Sequence, residues 1–183
     1  MITMVDIQDI AKYTILRLIQ NGDSICPLKL QKVLYYMQAW HMVYFGKENT
    51  LFEDIPQAWV NGPVYRTVYD TYKHIPMYNQ FNIEDIGVKQ TGEEIEILLS
   101  TEAEKQRANL NITEEQNKFI ESIYDHYGAM EHDRLVFLTH SELPWSEQRE
   151  GLLPFEHSEK EIPLNTMFEY YNQRMLRNRA KEQ

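Results

Sequence analysis

Six histidines and their neighbouring carboxylates are the residues of this chain with the chemistry for proton transfer or metal ligation. Their spacing does not support a ligand pair. His132 and His140 fall eight apart on one predicted helix. Eight residues advance about 80° beyond two full turns, so the two rings miss the shared face that an i, i+4 pair would have. His126 and His132 are separated by Gly128 and meet only through tertiary folding. Glu131, Asp133 and Glu142 complete the set on which a hydrolytic reading would rest, through His132, His140 and Glu142. His41 sits on an apolar helical stripe and reads as a packed, hydrogen-bonded ring, as does His140 before the Ser-Glu-Leu-Pro-Trp turn.

Motifs with a fixed chemical meaning are missing. There is no phosphate-binding glycine loop, no dinucleotide fingerprint, no His-Glu-x-x-His, no Cys-x-x-Cys and no Gly-x-Ser-x-Gly elbow. The large aromatics carry more of the pattern. Trp40, with its indole N–H paired, reads as core, whereas Trp59 and Trp145 lie beside turns and are placed to line a groove. Lys29 and Lys32 read as a solvated edge of their helix, with the alternative that Lys32 reaches a carboxylate in a buried ion pair.

The elements that must hold these residues are mostly helical. Ile7, Ile10, Ala11, Thr14 and Leu18 share one stripe of a helix over about 6–20, ended by Asn21-Gly22-Asp23. Leu30, Val33, Leu34, Met37, His41 and Tyr44 mark a second helix over about 27–45, apolar most of the way round. Such a helix occupies the centre of its domain. Residues 51–60 look extended, Asn61-Gly62-Pro63 is a turn, and Val64 to Tyr72 give a short helix. Ile95, Ile97 and Leu99 alternate with polar residues and predict a strand at 94–99 pairing with 56–60. Residues 101–112 read as a loop or an exposed helix start. Thr113 and Gln116 have capping-box spacing ahead of Phe119, Ile120, Ile123, Tyr124 and Tyr127. Further helices are expected over 131–140 and from Leu164 through Met175, with a loop at 150–162.

Three separated blocks then carry a family resemblance. Leu-Gln-Lys-Val-Leu-Tyr-Tyr-Met-Gln-Ala-Trp-His at 30–41, Ala-Trp-Val-Asn-Gly-Pro-Val-Tyr at 58–65 and Leu-Thr-His-Ser-Glu-Leu-Pro-Trp at 138–145 stand in the order of the Panacea antitoxin domain. The chain resembles that family, which includes SocA-like and phage-associated GepA-like proteins, from about Asp6 to Tyr171. The matching positions are Lys32, Tyr36, Ala39, Trp40, His41, Ala58, Trp59, Gly62, Pro63, Val64, Thr139, His140, Pro144 and Trp145. Without Ala39 and Ala58, and with Tyr65 added, they are the candidate partner-binding residues, and none is read as catalytic. The resemblance implies a mainly α fold, a compact multi-helix domain around the central helix with a minor antiparallel β element. No cofactor is expected. The resemblance also implies the antitoxin half of a toxin–antitoxin pair, acting by contact with a cognate toxin protein. An adaptor that hands a client to a protease and an uncharacterised hydrolase remain as rival readings.

Bulk properties agree with a protein that binds. The 183 residues suit one domain spanning 1–183, with a basic tail at 174–183 that reads as a frayed, solvated helix end. A single cysteine, Cys26, excludes an internal disulfide and fits a reducing cytoplasm. No signal peptide and no spanning segment is read, so the cytoplasm is the expected location and no membrane partner is expected. The net charge of −10 argues against general binding to nucleic acid, and no room is seen for an added DNA-binding domain, which leaves direct operator binding unsupported. The same charge suits a basic toxin, whose association would slow as salt rises.

Overall fold

A computed structural model describes residues 2–90 and 92–181, and these form one short hairpin and eight α-helices. They are α1 (Ile7–Asn21), α2 (Pro27–Phe45), α3 (Arg66–Tyr72), α4 (Ile95–Leu110), α5 (Glu114–Ile123), α6 (His132–Ser141), α7 (Leu143–Gln148) and α8 (Leu164–Lys181). The hairpin joins β1 (Gln57–Trp59) to β2 (Gly62–Val64) in antiparallel register, Trp59 opposite Gly62.

Helix α2 runs through the middle because apolar side chains occur on every side of it, with Lys29, Gln31, Lys32, Gln38 and His41 buried among them. Fourteen of its nineteen residues are buried. Pro27 starts it without costing a hydrogen bond, and Gly46 at φ 102° ends it. Around it pack α1, α3, α5, α6, α8 and β2. Helix α1 begins on Asp6, whose carboxylate accepts the Gln8 amide at 2.7 Å, and ends on Gly22 in the left-handed region. The Thr113–Gln116 capping box forms as its spacing predicts. Helix α5 then runs into a π-helical turn at Tyr124–Gly128. A Cβ on Gly128 would lie 2.5 Å from Leu18 Cδ2, so this glycine lets the turn close onto α1.

The strand expected at 94–99 is absent. These residues open α4, which runs on through Leu110, so most of 101–112 is the body of a helix and neither a loop nor a helix start. The alternation misled because Ile95 and Ile97 face solvent, 47% and 55% exposed. Leu98, Leu99, Ala103, Gln106 and Leu110 are buried instead, at helical spacing, and α4 packs mainly on α1. The partner of β1 is therefore β2. Along the outer edge of β1 lies the segment after α7: the Ala58 amide donates to the Lys160 carbonyl at 2.8 Å, and Ile162 donates to Pro56 at 2.7 Å.

In place of a larger sheet, glutamine side chains hold the extended segments. Gln31 on α2 accepts from the Tyr65 amide at 2.8 Å and donates to the Tyr65 carbonyl at 3.3 Å. Gln38, two turns on, accepts from Leu51 N–H and donates to the Phe52 carbonyl. Gln116 pairs with both backbone groups of Thr3. Each amide supplies the donor and acceptor that a neighbouring strand would, which keeps buried backbone satisfied.

Candidate functional site

The hairpin is where the separated sequence blocks meet. From α2, the Lys32 side chain is fully buried and its ammonium donates to the Pro63 carbonyl at 3.0 Å. Neither reading of the lysines from sequence holds: Lys29 and Lys32 are both buried, and among the described residues no carboxylate receives Lys32. Lys29 turns back to the Ser24 carbonyl at 2.6 Å. Desolvation pushes the Lys32 ammonium down from the ordinary lysine range to about 7. Gly62 makes this approach possible. Its φ of 100° is unfavourable for other residues, and a Cβ there would lie 2.6 Å from Lys32 Cε and 2.9 Å from Thr139 Oγ1.

From the third block, α6 and α7 grip the other side of the hairpin. Thr139 is buried against Gly62, its hydroxyl donating to the Val136 carbonyl. Pro144 is buried in the first turn of α7. The Trp145 indole donates to the Trp59 carbonyl at 2.9 Å. Its ring lies flat on His140, centroids 3.9 Å apart and planes 6° apart. Arg149, just past α7, donates to the Ala58 carbonyl at 2.9 Å. Val64 and Tyr65 follow the turn inward; Tyr65 packs edge-on against Phe52.

Four matched positions lie away from the hairpin; of these, Ala39 is buried in the core. Trp40 is half-buried and donates to the Tyr127 hydroxyl at 2.7 Å. His41 is buried: Nδ1 meets the Asn49 carbonyl at 2.8 Å and Nε2 meets the Gln116 amide at 3.1 Å. Burial holds its pKa down at about 4, so the ring is neutral, donating from Nδ1 and accepting at Nε2. Tyr36 donates to the Glu142 carboxylate at 2.9 Å.

Glu142 is the centre of a buried polar cluster that was not legible as such. Tyr171 donates to it at 2.6 Å and Arg174 pairs with it at 2.6 Å. Burial raises its pKa, opposed by these three donors. Arg174, read from sequence as part of a solvated tail, is thus the clasp that holds α8 to the start of α7. His132 does not join Glu142 or His140. It contacts Asp133 and lies near Tyr78. No group of three or more metal-ligating side chains comes together among the described residues.

The hairpin turn, Val60-Asn61, divides two hollows. One, of about 290 Å³, is mostly apolar and lies between the start of α2, α3 and the turn at 75–77, with Trp59, Val64, Tyr69 and Met77 in its lining. The other, of about 410 Å³, is bounded by His140, Trp145, Arg149 and the loop at 152–155. Trp59 and Trp145 therefore do line grooves, one on each side. Sequence reasoning missed Gln31, Gln38 and Arg149. The two glutamines offered a signal, seven apart on an otherwise apolar helix face; Arg149 offered none.

These features define a class: a mainly α-helical protein that clamps a short hairpin between its central helix and an α6–α7 corner. The family model described as antitoxin SocA-like, Panacea domain, matches residues 30–146, and the chain belongs to this antitoxin family. Neither the curated proteins nor the solved structures yield a match. No described helix is long and apolar enough to cross a membrane.

Proposed function

We propose that this protein is the antitoxin of a toxin–antitoxin pair and neutralises its cognate toxin by direct contact, in the cytoplasm. The observation that carries this reading is the convergence at the hairpin. Residues from three distant blocks are spent on fixing one turn between two open hollows, each with a tryptophan in its wall. Rigid aromatics beside concave, part-apolar surface are the ingredients of a protein–protein hot spot. Large apolar side chains stand exposed on the same rims: Met77 at 45%, Leu153 at 72% and Phe155 at 89%. Patches of this kind mark surfaces that other chains cover.

The test is growth rescue. The candidate toxin, sought as a small open reading frame adjacent to this gene, is induced with and without the chain, and the chain is expected to restore growth. Trp59→Ala removes the wall of the apolar hollow while leaving the Trp59 carbonyl available to Trp145. It is expected to abolish rescue with an unchanged circular dichroism spectrum and melting curve. Rescue by a folded Trp59→Ala chain would remove the hollow from the interface; failure of the parent chain to rescue would remove the antitoxin reading.

A further inference from the structure

The hollow beside Trp145 has one charged residue in its lining, Arg149, in a protein whose net charge is −10. Arg149 is buried, and its hydrogen bonds all end on backbone carbonyls: Ala58 at 2.9 Å, Leu153 at 3.4 Å and Glu156 at 2.6 Å. No ion pair among the described residues includes it. The Glu156 carboxylate, on the same loop, accepts the Leu153 amide at 3.1 Å. Among the described residues Lys32, behind Gly62, also has no carboxylate partner. The third group is His140. Its Nε2 is buried with no partner, while the ring stacks on Trp145 and interacts with the Val60 backbone. Buried cations without counter-charge are costly, and a buried ring nitrogen without a partner adds to that cost.

We propose that this hollow seats a carboxylate side chain of the partner polypeptide, held between the Arg149 guanidinium and His140 Nε2. The inference rests on the antitoxin reading for the partner's class, and on the residues above for its chemistry. A carboxylate supplies the charge that Arg149 lacks and the hydrogen-bond partner that His140 lacks. Burial, Lys32 and Arg149 together hold His140 below the usual histidine range. An arriving anion opposes the last two effects, so the ring takes up a proton and Nε2–H donates to it. The rim distinguishes a polypeptide from a free ion. Leu153 and Phe155 stand at the mouth, the two most exposed of the large hydrophobic side chains. Apolar residues flanking the partner's acidic one would cover them and exclude water from the charge pair, as the surround of a hot spot does.

The probe is N-acetyl-Leu-Asp-Leu-amide, titrated into the full chain carrying ¹⁵N-labelled histidine and tryptophan. Saturable shifts of the Trp145 indole and the His140 ring are expected, the latter toward the imidazolium range. The Asn counterpart peptide should bind about tenfold more weakly, the usual cost of one charge-assisted hydrogen bond. His140→Phe keeps a stacked ring without the nitrogen, and should weaken the Asp peptide about tenfold with the fold retained. Absence of saturable shifts overturns the proposal. Equal binding of the Asp and Asn peptides, or of parent and His140→Phe, overturns the anion's role. Acetate or inorganic phosphate binding as tightly as the peptide would make this a small-ion site and overturn the partner assignment. None of these readouts uses the toxin, so they fail independently of growth rescue.

Discussion

Gly62 and Lys32 occupy space that two side chains cannot share: a Cβ on residue 62 would fall 2.6 Å from Lys32 Cε. The contact ties the central helix to the hairpin, and it makes Gly62 a steric requirement as well as a conformational one. Thr139 closes the third side, 2.9 Å from the same point.

Gly62→Ala is therefore expected to destabilise the fold by on the order of 3 kcal/mol, from backbone strain at φ 100° combined with overpacking. Urea unfolding measures it. A loss within 0.5 kcal/mol, as ordinary surface substitutions show (about ±0.5), would mean the hairpin yields freely.

Lys32 gives the fold a pH dependence. Its ammonium titrates near 7 when buried and in the ordinary lysine range when unfolded. The unfolded chain thus binds more protons between these values, and stability from this group rises with pH above about 7. Lys32→Met removes both the charge penalty and the bond to Pro63. The variant's stability relative to the parent should be highest near pH 6 and decline by roughly 1 kcal/mol per pH unit from pH 7 to 9. Parallel stability curves across that range would show that the ammonium is not desolvated.

The clasp between Glu142 and Arg174 predicts a boundary in the C-terminal helix. Glu142→Ala leaves two tyrosine hydroxyls and a guanidinium without their acceptor, and should cost about 3–5 kcal/mol. Ending the chain after Met175 spares Arg174 and should leave the melting temperature within a few degrees of the parent. Ending it after Gln173 should lower it clearly, since α8 then loses its clasp. Equal melting temperatures for the two truncations would contradict that role.

Much of this arrangement is legible in the residue pattern, for identifiable reasons. Helix α2 begins and ends where expected, over 27–45, because proline and glycine punctuate a long apolar run. The Thr113 cap announces α5 by local chemistry alone. The stretch at 94–99 misleads because three β-branched or apolar residues alternate by chance on a helix whose buried face is carried by Leu98 and Leu99. The roles of Lys32, Glu142 and Arg174 depend on partners 31, 106 and 32 residues away (Pro63, Tyr36 and Glu142), and no local pattern encodes such pairings. The meeting of the three blocks at one hairpin is likewise a property of the packing, although their common order marks the family.

The glutamine brackets have a consequence for how this surface varies. Gln31 and Gln38 grip peptide groups, and a peptide group is the same whichever residue carries it. The path of the chain at Leu51–Phe52 and at Tyr65 is thereby moored at its peptide groups as well as by the buried side chains it carries inward. Neighbouring outward positions are free to be repainted while the scaffold beneath stays in register, which is the mechanical freedom that a recognition surface needs to change its correspondent.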